Sequence, residues 1–279
     1  MTTIIAEIGI NHNGSVGIAK KLMAMAKECG ADLVKFQKRF IELVYSPEEQ
    51  AKPRESPWGT TNGDQKRGLE FAFDEYYEID KYSKKIGLPW FASAWDIPSL
   101  EFIETFNPPC HKIASPMITH RKFVESVADL GRLTYVSTGM VDDLKVIQDL
   151  VYVFGCYLTP IVLMHCVGEY PCRPVDTNLK MVRTLKREFP DIPIGFSSHA
   201  VSPIMGAFAV IMGAVAVEAH ITLDRSMYGS DQAASLEKAG LEKLVDYCEM
   251  AELAKGDGMK IITERERVNA KKLRYWEAE

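Results

Sequence analysis

Residues 215–223 read VAVEAHITL. An apolar run heads into a core and then delivers Glu218 and His220 two positions apart. Side chains alternate faces along a β-strand, so these two share one. The same arrangement, an apolar run closed by a polar residue, recurs along the chain. It predicts strands at 4–8, 33–37, 89–94 (PWFASA), 110–114 (CHKIA), 133–137 (LTYVS), 160–166 (PIVLMHC), 192–197 (IPIGFS) and 215–221. Stretches with helical spacing alternate with them, at 16–29, 75–85, 98–105, 120–130, 142–154, 177–189, 203–212 and 237–254. Parallel strands need such crossover helices. Eight units in about 250 residues predict an α/β fold, a (β/α)8 TIM barrel forming one domain over 1–279. The polar segment 39–68 is a long β2–α2 loop, too long for a simple connection, and so either functional or mobile.

The bulk composition narrows the function. The chain has 279 residues, 47 % of them apolar, with 33 Lys and Arg against 38 Asp and Glu, a formal net charge of -5. No block of five like charges appears, which argues against a nucleic-acid partner or an anionic membrane surface. The start, MTTIIAEIGINHNG, lacks a basic n-region and does not read as a signal peptide. Residues 204–217, the longest nearly apolar stretch, are too few to span a bilayer. The six cysteines show no CxxC spacing, so a reducing cytoplasm is expected.

In barrels of this class the active site lies at the C-terminal strand ends. Those ends carry Glu7, Lys35 with Gln37, Ser93, Lys112 leading to Ser115, Ser137 with Thr138, His165, Ser197 leading to His199, and Glu218 with His220. A serine at such a junction also reads as a helix N-cap, and a lone lysine as a solvated rim residue. Two lysines, two histidines and two glutamates converging on one rim read differently, because unpaired buried charges are expensive. Lys35, Lys112 and the hydroxyls suit an anion with phosphate or carboxylate groups. His199 and His220, from adjacent strands, suit one divalent metal with positions left for water and substrate. Cys166 follows His165, but adjacent strand residues face opposite sides, so a Cys–His nucleophile is not expected and Cys166 reads as a packed thiol. Asp224 and Arg225 read as a local structural pair ordering the loop that bears Asp231.

AEIGINHNGS (6–15), DLVKFQ (32–37), HKIASP (111–116), STGM (137–140), HCVGEYP (165–171), GFSSH (195–199) and VEAHITLDRSMYGSDQ (217–232) run in order along nearly the whole chain. Together they resemble the sialic acid synthase family, the phosphoenolpyruvate-condensing N-acetylneuraminate synthases. The resemblance implies a barrel that joins phosphoenolpyruvate to an aldose, N-acetylmannosamine or a related sugar. The product is a 3-deoxy-2-keto sugar acid plus phosphate. It implies Mn2+ or Mg2+ held by His199 and His220. It implies Lys35, Gln37, Lys112, Ser115, Ser137 and Ser197 around phosphoenolpyruvate, with Ser93 and Tyr170 as further substrate contacts. Glu7, Glu218 and Asp231 match acids around the sugar and metal, and together with Lys35 form the candidate catalytic set. A homodimer is the family expectation.

The chain also departs from the family pattern. SAWD (93–96) stands where Ser-Thr-Pro-Phe is common, so a hydroxyl is replaced at Ala94. Gly168 stands where Asn or Ser is common, and Ser198 stands where an Asp precedes the histidine. Two-domain members continue into an antifreeze-like domain that supplies an arginine to the partner subunit's sugar site. The sequence ends at Glu279, so a barrel-only member with an open choice of sugar is expected. Trp58 and Asn62 make the 39–68 segment a candidate lid. Two other readings stand beside the synthase: a Schiff-base barrel aldolase using Lys35 or Lys112, and a non-catalytic phosphoenolpyruvate- or sugar-binding relative.

Overall fold

The structure, a computed structural model that describes residues 1–277, is a closed barrel of eight parallel strands. In chain order the strands are β1 (Thr3–Gly9), β2 (Leu33–Lys38), β3 (Trp90–Ala94), β4 (His111–Ile113), β5 (Thr134–Ser137), β6 (Ile161–Cys166), β7 (Ile194–Ser198) and β8 (Ala216–His220). Each pairs with its sequence neighbour, and β8 closes on β1 with Glu7 opposite His220. The helices are α1 (Val16–Glu28), α2 (Phe73–Ile86), α3 (Ile97–Glu104), α4 (Arg121–Asp129), α5 (Leu144–Cys156), α6 (Lys180–Glu188), α7 (Ile204–Ile211) and α8 (Lys238–Ala254). Local chemistry starts them. Ser15 accepts from the Ile18 N–H at 3.3 Å, Asp96 from Ser99 at 2.7 Å and Asp143 from Lys145 at 2.8 Å.

Two apolar layers form the core. One lies between strands and helices, with Leu22, Met23, Ile79, Phe123, Val127 and Leu185 almost wholly buried. Each such side chain contributes roughly 1.5–3 kcal/mol by leaving water. The other fills the lower barrel: Ile5, Phe91, Cys110, Tyr135, Val162, Met164 and Ala216. Gly195 makes room for Met164 there, since a Cβ on it would stand 2.3 Å from the Met164 sulfur. This plug seals the barrel from below and leaves only the upper end open to a ligand.

Segment 39–68 is a folded insert. It contains short helices Ile41–Val44 and Pro47–Gln50, a hairpin of Pro53–Ser56 with Gly59–Thr61, and a helix Asn62–Leu69. Ser46 and Thr61 cap two of these helices, the second through a Thr61–Asp64 capping box. Asn62 is not poised as a lid residue. It is buried, and its amide donates to the Glu49 carbonyl at 3.2 Å. Trp58 fastens the insert to the barrel. A Cβ on Gly68 would fall 2.1 Å from the indole, and one on Gly14 2.2 Å from the Gly68 carbonyl oxygen. The indole also meets the Tyr228 ring edge-on at 6.0 Å, and the Tyr228 hydroxyl donates to the Glu55 carbonyl at 3.3 Å. The loops after β1, β2 and β8 are thereby tied together.

A further helix, Glu264–Leu273, lies beyond the last one expected from sequence. The Thr263–Glu266 capping box starts it, and none of its residues is buried. Among the described residues no helix is long and apolar enough to cross a membrane.

Candidate active site

The inward residues of the barrel change character over two positions. Ile5 is followed by Glu7, Leu33 by Lys35, Phe91 by Ser93, Cys110 by Lys112, Tyr135 by Ser137 and Ala216 by Glu218. Side-chain alternation alone therefore stacks a polar ring on the apolar plug. The ring lines a cavity of about 580 Å³, counting its part open to solvent. That lies within the roughly 300–1,000 Å³ of small-molecule sites. Glu7, Lys35, Gln37, Ser93, Lys112, Ser115, Ser137, Tyr170, Ser197, His199, Glu218 and His220 all face it. Asp231 stands just above, with Oδ2 4.0 Å from His220 Nδ1.

Four charges make the floor, and all are 0–4 % exposed. Lys112 Nζ is 2.8 Å from Glu218 Oε2, Lys35 Nζ 3.3 Å from Glu218 Oε1, and Lys35 Nζ 2.6 Å from Glu7 Oε2. Ser197 donates to Glu218 Oε1 at 3.1 Å, and Gln37 to Glu7 Oε1 at 3.2 Å. Burial by itself would raise both carboxyls. At Glu218 the two lysines overcome it and hold the group down at about 2. At Glu7 burial prevails over Lys35 and raises the group. Burial opposes the charge on Lys35, yet Glu218 and Glu7 together raise it. Lys112, with Glu218 alone, is lowered by its burial. The environment thus pushes the two carboxyls apart, Glu218 below and Glu7 above the ordinary carboxylate range.

A stability test follows from the sign of the Glu218 shift. A carboxyl held below its ordinary 4.5 stabilises the fold above that pH, and the contribution is lost as pH falls toward about 2. Glu7 acts oppositely, its contribution declining as pH rises above 4.5. Thermal melts over this acid range are expected to fall more steeply for the wild-type chain than for Glu218→Gln. Parallel curves would contradict the assignment.

Above the floor, the His199 and His220 ring centroids are 5.6 Å apart. Tyr170 stacks on His199 at 3.9 Å, and burial pushes its phenol well up. His199 Nδ1 sits 2.6 Å from the Val167 carbonyl and donates to it, which leaves Nε2 with a free lone pair. Burial, then His220, pulls His199 down to about 4, so its imidazole is neutral at pH 7. His220 Nδ1 is buried with no hydrogen-bond partner among the described residues. The described residues contain no grouping of three or more His, Cys, Asp and Glu side chains set to hold a metal.

Several sequence expectations need correction. His165 does not join the rim: its Nε2 bonds the Thr177 carbonyl at 2.8 Å outside the barrel. Cys166 faces the cavity instead, 3.0 Å from Ser115 Oγ. Cys166 pairs with inward Ser197 and His165 with outward Phe196, and that register fixes the parity. Ala94 packs in the outer core, so in this fold a hydroxyl at that position would not face the cavity. Gly168 does line the cavity, against Met140. Ser198 is buried and accepts from the Ala200 N–H at 3.3 Å. Trp95, missed from sequence, also lines the site two residues beyond Ser93, and that spacing was its signal. Arg225 donates through Nε to the Ala233 carbonyl at 3.0 Å, and Asp224 accepts from Ser226, so the pair does shape the loop carrying Asp231.

Known proteins resemble this chain over most of its length. The chain is 38% identical over 264 residues to human N-acetylneuraminate-9-phosphate synthase, covering 92% of this chain and 72% of that protein. It is 34% identical to the N,N'-diacetyllegionaminic acid synthase of Legionella pneumophila, over 92% of this chain and 74% of that one. The solved N-acetylneuraminic acid synthetase of Leptospira borgpetersenii superposes with a TM-score of 0.87 at 28% identity, covering 100% of this chain and 93% of the other. Residues 22–260 match the NeuB family model, and the chain belongs to the NeuB family.

Proposed function

We propose that the cavity joins phosphoenolpyruvate to an open-chain aldose, N-acetylmannosamine or a related sugar, as a carbon–carbon bond-forming transferase. The observation that carries this is the buried alternation of Lys112, Glu218, Lys35 and Glu7 beneath two histidines, in a NeuB-family chain. Lys35, Lys112 and the hydroxyls of Ser115, Ser137 and Ser197 meet the carboxylate and phosphate of phosphoenolpyruvate. Gln37, Ser93 and Tyr170 complete the pocket. C3 of phosphoenolpyruvate bonds to the aldehyde carbon, and the aldehyde oxygen takes a proton. Glu7, raised by its burial, is suited to holding that proton. Positive charge develops at C2, where the fixed anion Glu218 opposes it. Water adds to C2 and gives up a proton, the bond from C2 to the phosphate oxygen breaks, and a 3-deoxy-2-keto acid remains.

His199 and His220 suit Mn2+ or Mg2+, one with a free Nε2 and the other with an unpartnered buried nitrogen, and Asp231 lies beside them. A metal bound there supplies Lewis-acid polarisation of the aldehyde oxygen. We further infer a cytoplasmic enzyme, whose six free cysteines stay reduced, and a homodimer, which sedimentation at two concentrations tests.

The test is phosphate release from phosphoenolpyruvate across a panel of aldoses and their phosphates, with manganese present. Release that depends on one sugar supports the synthase. Silence across the panel, with phosphoenolpyruvate still bound, supports the non-catalytic relative. The Schiff-base reading requires a neutral lysine. Lys35 is held protonated by its neighbouring carboxylates, Glu218 above all, so Lys112, lowered by its burial, is the lysine that reading would use, and borohydride trapping of a keto substrate tests it: an adduct supports the aldolase and its absence the synthase.

A further inference from the structure

The cavity wall holds a thiol that the proposed chemistry leaves idle. Cys166 is 5 % exposed and lines the cavity. On β6 it stands one inward step above Met164, the last plug residue of that strand. Its register partner on β7 is Ser197, and β5, on the other side, ends in Ser137. Ser115, from the turn after β4, reaches past β5 and brings its Oγ to 3.0 Å from Cys166 Sγ. Among the described residues neither atom has another hydrogen-bond partner.

Gly139 makes this contact possible. A Cβ there would stand 2.8 Å from Cys166 Sγ and 2.8 Å from Ser115 Oγ, closer than carbon side chains approach either atom. Neither side chain is long enough to bend away, so any larger residue at 139 has to part the pair. Glycine at this position is therefore a steric requirement of the Ser115–Cys166 contact, separate from backbone freedom.

Either group can donate in the empty cavity, and a bound anion decides which. Each carries one proton. An anion offers only acceptors, so Ser115 has to turn its O–H toward it. The oxygen then presents lone pairs to Cys166, and the thiol S–H donates to them. The two bonds point the same way, and each polarises the other. A thiol is a weak donor and competes poorly for the anion itself, so it can hold Ser115 without taking its place.

We infer that Cys166 is a positioning residue whose thiol fixes the Ser115 hydroxyl as a donor to an anionic group of phosphoenolpyruvate, with Gly139 keeping the contact open. This rests on the synthase reading for the identity of the anion.

The experiment is a double-mutant cycle on the full chain, with phosphoenolpyruvate binding read by calorimetry. Ser115→Ala is expected to weaken binding about 30-fold and Cys166→Ala about tenfold. In the Ser115→Ala background, Cys166→Ala is expected to cost less than about twofold more, because its partner is gone. Gly139→Ala should match Cys166→Ala, and Cys166→Ser, which restores a donor, should bind within about threefold of wild type. In turnover the Cys166→Ala loss falls on the Michaelis constant for phosphoenolpyruvate, with kcat changed less than about threefold. Circular dichroism verifies the fold of each variant. An equal cost of Cys166→Ala in both backgrounds would mark a packing residue and overturn the inference, as would a Cys166→Ser chain no better than Cys166→Ala. Coupling in binding without phosphate release from any sugar would sink the synthase reading and leave this one standing. A wild-type chain that binds no phosphoenolpyruvate would overturn both.

Discussion

Glu218→Gln is expected to lower kcat by about a thousandfold or more while leaving the Michaelis constant for phosphoenolpyruvate no higher. The carboxylate stands between Lys112 at 2.8 Å and Lys35 at 3.3 Å and accepts from Ser197 at 3.1 Å. The amide keeps the shape and removes the charge. The floor becomes more positive, so an anionic substrate binds at least as well, whereas the cation developing at C2 loses its counter-charge. The fold is affected as well. Glu218 is the only carboxylate within ion-pair distance of Lys112 among the described residues, and an uncompensated buried charge costs about 3–5 kcal/mol. Added phosphoenolpyruvate is expected to recover part of the lost Tm, because it supplies the missing negative charge. Glu218→Asp keeps the charge and should keep more of the rate. A raised Michaelis constant at unchanged kcat would show instead that Glu218 acts in binding alone.

Removing divalent metal is expected to lower sugar-dependent phosphate release by about a thousandfold, with manganese restoring it. His199→Ala and His220→Ala should each give a comparable loss that manganese does not restore. The physical basis lies in the donors. His199 is held neutral by burial and oriented by the Val167 carbonyl, and His220 presents a buried nitrogen with no other partner. Chelation and either substitution should not add, because they remove the same interaction. Release that persists through chelation and through loss of His220 would sink the metal role.

The barrel and most of the cavity were legible in the sequence because both are local. An apolar inward residue followed two positions later by a polar one writes the plug and the ring into each strand, as in Cys110 and Lys112 or Ala216 and Glu218. What was not legible depends on contacts between strands. The inward face of β6 follows from the pairing of Cys166 with Ser197, and a one-residue shift exchanges it with His165. The division between Glu7 and Glu218 needs distances, since two glutamates in like sequence settings face one lysine and two lysines respectively. The length of the 39–68 segment was legible but its internal fold was not, because its helices have four to eight residues and are held by tertiary contacts rather than by a long amphipathic period.

The Trp58 fastening bears on how sugar choice in this chain can be altered. Its indole fits only because position 68 is glycine, the Gly68 carbonyl in turn lies where a Cβ at position 14 would stand, and Tyr228 meets the indole edge-on, so residues of three different loops share the contact. The insert is therefore not a detachable cassette. A chimera that exchanged 39–68 alone would bring a foreign surface against the native 14 and 228 contacts. Its altered preference would then report a displaced loop as readily as a new ligand contact. A transplant intended to change specificity has to move all three loops together.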